Sequence, residues 1–223
     1  MGVRIYDLCL EVTRRCNMEC GHCLRGEAED VDMSKEIVDQ VLEQIDRIST
    51  VTFTGGEPTL NMDLIRYFFK RAEELDKMPY SFYIVTNGKA FQHELAIELL
   101  KWYPKMEESD FCGVAVSLDD WHDELETPPI LKALIFYTAE KERDSRFVPR
   151  REGRAASLNW SQPVSHSCDI KMEDDEIQLL YVSANGNMIG DCDLSYEHID
   201  AASGYTVWDF KQMLKEHREV MGK

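Results

Sequence analysis

The chain has 223 residues, enough for one domain with a sizeable core that needs no disulfide staples. Hydrophobic residues make up 43% and charged residues 30%, the balance of an ordinary globular protein. A formal net charge of −17 argues against a nucleic-acid backbone or an anionic membrane as main partner.

The opening residues carry no signal-peptide apolar region, so the expected location is the cytoplasm. Tyr6 also stands where a myristoylation pattern needs Ser or Thr. The longest apolar runs, such as 130–138 with Lys132 inside it, are too short to span a membrane.

Residues 4–12 alternate and are rich in β-formers, a first strand that ends just before Cys16, Cys20 and Cys23. Cytosolic thiols stay reduced, so cysteines at C-x3-C-x2-C spacing point to a soft metal centre. Three thiolates leave a four-iron cluster one iron short of protein ligands, and such an iron is open to a substrate. Cys9 and Cys112, in apolar strand-like runs, read as buried structural thiols.

Residues 34–48 carry a helical apolar stripe with Ser34 as N-cap and Glu36 in the first turn. Strand 50–54 and helix 62–75 follow, then strand 81–86, helix 92–102, strand 113–118 and helix 130–142, with a possible further strand at 146–151. This alternation predicts right-handed βαβ units and a parallel sheet. The length suits a partial (β/α) barrel of about five or six units, or an open α/β sheet, rather than a complete eight-fold barrel. Beyond it, 155–175 reads as a long loop, 176–190 as a β-hairpin turning at Asn185-Gly186, and 206–221 as a closing helix with Trp208, Met213 and Leu214 among its apolar positions.

Ligands in parallel α/β folds gather at the carboxyl ends of the strands. The cysteines follow the first strand, Gly55-Gly56-Glu57-Pro58 the second, Asn87-Gly88 the third, and Ser117-Leu118-Asp119 ends the fourth. Two glycines let backbone approach a ligand or supply positive φ. A carboxylate at Glu57 can accept hydrogen bonds from an amine, although an ordinary βα turn would look the same. Ser117 and Asp119 can hold hydroxyls or cap a helix. His22 reads as a neighbour of the metal centre rather than a ligand, and His122 as either a site residue or a solvated loop histidine. Arg143, Arg146, Arg150, Arg151 and Arg154 form either a solvated face or an anion site, because guanidinium forks match carboxylates and phosphates.

Taken in order, the cysteine motif, Gly55-Gly56-Glu57-Pro58, Thr86-Asn87-Gly88, Ser117-Leu118-Asp119 and Glu152-Gly153-Arg154-Ala155 resemble the radical S-adenosylmethionine (radical SAM) superfamily over residues 4–155. The resemblance implies an oxygen-sensitive iron–sulfur enzyme. Cys16, Cys20 and Cys23 would ligate a [4Fe-4S] cluster whose fourth iron is chelated by S-adenosylmethionine (SAM). Reductive cleavage of SAM would give a 5′-deoxyadenosyl radical that takes a hydrogen atom from substrate. By position, Glu57 with the Gly55-Gly56 backbone would hold the methionine amine, and His22 would lie by the adenine. Ser117 and Asp119 would line the ribose or methionyl end, Asn87 would be a further cofactor-binding residue, and one arginine of the 150–154 group, taken as Arg151, would face the carboxylate. The implied partners are a peptide or small polar metabolite and a flavodoxin- or ferredoxin-type electron donor. A core at 1–155 would carry a C-terminal extension, 156–223, packed on the same domain. That extension resembles a truncated auxiliary-cluster region, with Cys168 and Cys192 as a pair, yet no cysteine follows Cys192 to complete a second cluster. Two other readings are an activase of a glycyl-radical partner and a non-catalytic structural metal module.

Overall fold

The computed structural model describes residues 2–117, 127–138, 148–163, 165–202 and 204–220. Its strands join one eight-stranded sheet in the order β4-β3-β2-β1-β6-β7-β8, with β5 paired to β6. β1 (Val3–Thr13), β2 (Ile45–Gly55), β3 (Ser81–Thr86) and β4 (Gly113–Val116) run parallel, as the βα alternation predicts. The sheet does not stop at β1. β6 (Glu176–Val182) pairs parallel to its other side, with Cys9 opposite Tyr181. The hairpin strand β7 (Asn187–Ile189) follows β6, β8 (Tyr205–Thr206) closes that edge, and β5 (Met172–Glu173) lies against β6. The result is an open sheet, the partial (β/α) barrel of the sequence reading.

One face of the sheet is apolar. Leu8, Leu10 and Val12 of β1 and Val51 and Phe53 of β2 are buried beneath α1 (Lys35–Gln44), α2 (Met62–Glu74), α3 (Gln92–Trp102) and α6 (Phe210–Val220). The α2 stripe Leu64, Ile65, Phe68, Phe69 and Ala72 faces this core. Phe69 stacks on Trp102 at 5.4 Å and meets Phe53 edge-on at 5.5 Å, geometries that favour the ring quadrupoles. The opposite face carries Asp7, Cys9, Glu11, Thr52 and Thr54, which makes it polar.

Three elements differ from the periodicity. The helix read over 34–48 ends at Gln44, because Ile45 turns extended and pairs with Val3 while Ile48 pairs with Ile5. β-branched residues fit a helix stripe or a strand, and here the sheet edge decides. The helix read over 130–142 is a single turn, α4 (Pro129–Lys132). Beyond it Val114 N donates to Phe136 O, Thr138 N donates to Val114 O, and Tyr137 bridges to Val114 in parallel sense. Ile135-Phe136-Tyr137-Thr138 is a strand-forming run beside an open edge, which explains why it leaves the helix; residues 139–142 lie outside the described residues. Of the possible strand at 146–151, Arg150 bridges only to Gln162, away from the sheet, and 146–147 are outside the described residues.

The closing helix begins as a 3₁₀ turn, Val207–Asp209, capped by a reciprocal Thr206–Asp209 box. Trp208 is 58% exposed, with its ring over Gly186 at the hairpin turn, where φ is +86° and a Cβ would lie 2.9 Å from the indole. A short helix, α5 (Tyr196–Ala202), has no counterpart in the sequence reading. Among the described residues no helix is long and apolar enough to cross a membrane.

Candidate functional site

The chain leaves β1 at Thr13 and enters the cysteine loop over a buried cation. Arg14 is fully buried, and its guanidinium reaches Glu11 at 2.6 Å, Glu29 at 2.9 Å and Asp200 of α5 through two bonds at 2.8 and 2.7 Å. Its face lies 4.6 Å from the Tyr196 ring. A buried charge is tolerated only when so surrounded, and this one fixes the foot of the loop to both β1 and α5. Arg15 pairs with Asp32 at 2.8 Å on the returning limb.

The loop then presents Cys16, Cys20 and Cys23, each partly exposed, to a cleft of about 580 Å³. Cys23 N donates to Cys20 O at 3.1 Å, and Cys23 O accepts from Arg154 N at 3.0 Å, so the segment around residue 154 lies over the loop. Gly153 makes that approach possible: a Cβ there would sit 2.4 Å from Gly26 N. Burial pushes the Cys16 thiol up, with Glu57 and Cys23 adding to the effect, while a backbone bond at Met18 and the Arg154 charge oppose it. Metal coordination would remove that proton.

The turn after β2 docks beside the cysteines. Gly55 has φ +133°, and a Cβ would lie 2.0 Å from Thr13 O; at Gly56 a Cβ would lie 2.3 Å from Arg15 O. Gly56 N donates to Thr13 O and Glu57 N to Arg15 O, at 2.9 and 2.8 Å. These glycines therefore bring the turn onto the backbone that precedes Cys16. The Glu57 carboxylate is 1% exposed and accepts from Thr59 N, Thr59 Oγ1, Thr86 Oγ1 and Asn87 N at 2.6–3.1 Å. Burial pushes its pKa up against those donors. It is a strut between the ends of β2 and β3. Asn87 extends the strut, since its side-chain amide donates to Asn17 Oδ1 at 2.7 Å within the cysteine loop.

The cleft wall thus gathers Cys16, Cys20, Cys23, His22, Gly55, Gly56, Glu57, Asn87 and Ser117, all named from sequence. Asp119 and His122, and with them Arg143 and Arg146, lie outside the described residues. Arg151 is not brought to the cleft: its guanidinium donates to Ser161 O at 2.8 Å. Its neighbours Arg150 and Arg154 line the wall instead, Arg150 paired with Asp193 and Arg154 with Glu27 at 3.3 Å. Alternating directions in an irregular loop cannot be read from composition. Arg14, Arg25, Thr52, Thr54, Cys192 and Tyr196 also line the cleft and were not singled out for it, and Cys9, expected only as a buried thiol, lines it too. Strict alternation along β1 puts Cys9 on the face of Glu11, which was the available signal.

A model of the family described as the Radical SAM superfamily matches residues 10–142, from β1 past β4. The chain belongs to the radical SAM superfamily. It is 31% identical over 114 residues to the Fe-coproporphyrin III synthase of Methanosarcina barkeri, covering 48% of this chain and 26% of that protein. It is 28% identical over 118 residues to the mycofactocin maturase of Mycolicibacterium smegmatis, covering 50% and 27%. The chain thus spans about a quarter of the length of these curated relatives. The solved structure of Streptococcus suis SuiB bound to precursor peptide SuiA matches 92% of this radical SAM chain and 62% of its own, at 12% identity and a TM-score of 0.44.

Radical SAM proteins use a [4Fe-4S] cluster and SAM, and these are the cofactors of this chain. The residues fit them. Three thiols share one wall with Arg154, whose Nε is buried without a hydrogen-bond partner. The cleft volume also suits a ligand of nucleoside size.

Proposed function

We propose that this radical SAM chain abstracts a hydrogen atom from a peptide or a small polar metabolite, with its electron supplied by a flavodoxin- or ferredoxin-type donor. The convergence of Cys16, Cys20, Cys23, the Glu57-braced turn, Asn87 and Arg154 on one cleft supports the reading most. When bound, the cluster and SAM supply a 5′-deoxyadenosyl radical.

The chain's own residues do the positioning. Cys16, Cys20 and Cys23 are the thiolate ligands. The backbone of Gly55 and Gly56 receives the methionine amine, with Glu57 holding that backbone in place and leaving part of one carboxylate oxygen's capacity for the amine. His22 lies by the adenine, while Asn87, Ser117 and Asp119 serve the ribose and methionyl end. Arg154, in place of Arg151, meets the carboxylate through its unpartnered Nε. Further along the sheet, Thr54 offers a hydroxyl to a substrate, which favours a polar one over a hydrocarbon. The buried base of Arg14, Glu11 and Tyr196 keeps water from entering beneath the loop.

Anaerobic reconstitution tests this. The protein should be brown with about four irons and four sulfides per chain. With dithionite and SAM it should release 5′-deoxyadenosine, and Cys20→Ala should reduce that product to background. A colourless protein with no such product, or full product formation by the variant, would overturn the reading.

A further inference from the structure

Among the described residues, Arg14, Arg25, Arg150 and Arg154 are the arginines that line the cleft. Arg14 is matched by Glu11, Glu29 and Asp200, Arg150 by Asp193, and Arg154 by Glu27. Arg25 is only 9% exposed, yet no carboxylate of the described residues forms an ion pair with it. Glu11, the buried carboxylate of the adjoining strand, is already committed. Its Oε1 accepts from Arg14 Nε and Ala184 N at 2.6 and 3.0 Å, and its Oε2 from the Tyr181 hydroxyl. A buried cation without a counter-charge is costly unless something else supplies one.

The Arg25 side chain is nonetheless held in one place. Its Nη1 donates to Leu194 O at 2.7 Å, and its guanidinium carbon lies 5.0 Å from the centre of the Tyr181 ring on β6. Its backbone is fixed as well, since Tyr196 N donates to Arg25 O at 3.0 Å. The remaining nitrogens, Nε and Nη2, make no hydrogen bond within the described residues, and unlike the Arg154 Nε they are not sealed from solvent. What is left of the Arg25 surface therefore opens on the cleft that it lines. A guanidinium with its rotamer fixed and two donor positions free is ready for an anion, because little ordering remains to be done on binding.

We propose that Arg25 is a substrate-specificity residue whose guanidinium receives a carboxylate of the substrate, so that the hydrogen donor is a carboxylic acid. The proposal rests on the hydrogen-abstraction reading above and narrows its substrate class. The residues assigned to SAM stand at the ends of β2, β3 and β4, with Arg154 for the SAM carboxylate. Tyr181, under Arg25, is on β6, across β1 from those strands. A molecule anchored at Arg25 thus lies on the far side of β1 and extends toward the cofactor, and the length between its acid and the reacting carbon selects which hydrogen is taken. One unpaired guanidinium matches the single charge of a carboxylate. A phosphate dianion would keep half its charge unmet in a wall that also holds Asp193.

The test is equilibrium dialysis of labelled probes against the anaerobically reconstituted full chain with SAM present. The probes are acetyl-Ala-Glu-Ala-amide as a peptide acid and γ-hydroxybutyrate as a metabolite acid, each beside its neutral amide, together with inorganic phosphate. At least one acid should bind saturably and about tenfold or more tighter than its amide, and which acid does so identifies the source of the carboxylate. Arg25→Gln should bring that acid down to the level of its amide, while Arg25→Lys, which keeps the charge, should retain a preference for the acid. Both variants should hold about four irons per chain and bind SAM within about twofold of the unaltered protein. Equal binding of acid and amide, no saturable binding of either acid, or tighter binding of phosphate would each overturn the proposal. Loss of iron or of SAM binding in both variants would overturn it too, by showing that Arg25 serves the cluster or the cofactor. Release of 5′-deoxyadenosine by the unaltered protein is measured separately, so failure here leaves the radical SAM reading standing.

Discussion

Glu57 shows how much one side chain can hold. Its carboxylate gathers donors from Thr59, Thr86 and Asn87, so it sets the distance between the ends of β2 and β3. Glu57→Ala leaves Thr59 N and Asn87 N buried without an acceptor and should cost about 2–4 kcal/mol in urea unfolding. Arg14 and Asp200 work in the opposite electrostatic sense. The Arg14 fork holds the Asp200 carboxyl below the usual range, with burial opposing. A carboxyl lowered in the folded state contributes stability above its unfolded pKa of about 4, and this is lost as pH falls through the folded value. Asp200→Asn should therefore be less stable at pH 7, by about 1 kcal/mol given its partial exposure, with a flatter decline in acid unfolding curves. A variant with unchanged acid dependence would show that the pair contributes nothing.

At the scale of elements, the turn after β2 matters because it lies against the strand that precedes the cysteines. Gly55→Ala would place a methyl 2.0 Å from Thr13 O at φ +133°. The expected cost is about 3 kcal/mol or more, read as a fall in Tm together with reduced iron per chain. The two shortened helices have one cause. Ile45, Ile48 and the run 135–138 satisfy a helical stripe, yet each stands beside a strand edge that offers backbone partners and burial. Periodicity reads which side chains are apolar and does not see that edge.

For the whole molecule, β1 is the centre of the sheet because β6 returns to its free side. Val3, Ile5, Leu8, Leu10 and Val12 are each at most 1% exposed there. Arg14 also binds Asp200, and Glu11 accepts from Ala184 N at 3.0 Å and from the Tyr181 hydroxyl. We propose on this ground that residues 156–223 are part of the core rather than an extension laid upon it. A fragment ending at residue 155 would expose the β1 edge and take Asp200 from Arg14 and the Ala184 and Tyr181 donors from Glu11. It should elute as aggregate and lack a cooperative thermal transition; a monomeric fragment with native circular dichroism would show that 1–155 is self-sufficient.

The sequence by itself determined the parallel βα order, the hairpin at Asn185-Gly186, and the cysteine and glycine turns as neighbours at strand ends. Those signals are local: ligand spacing, side-chain alternation and turn chemistry act over a few residues. It could not show that Arg154 rather than Arg151 lines the cleft, that Arg14 is buried among Glu11, Glu29 and Asp200, or that Cys9 lines the cleft as well. These were decided by the tertiary structure: the segment over the cysteine loop places Arg154, and β6 and the segments after β7 returning beside β1 enclose Arg14 and Cys9. Pairing across a sheet is selected by backbone hydrogen bonds and burial between distant segments, and no short window of sequence carries that choice.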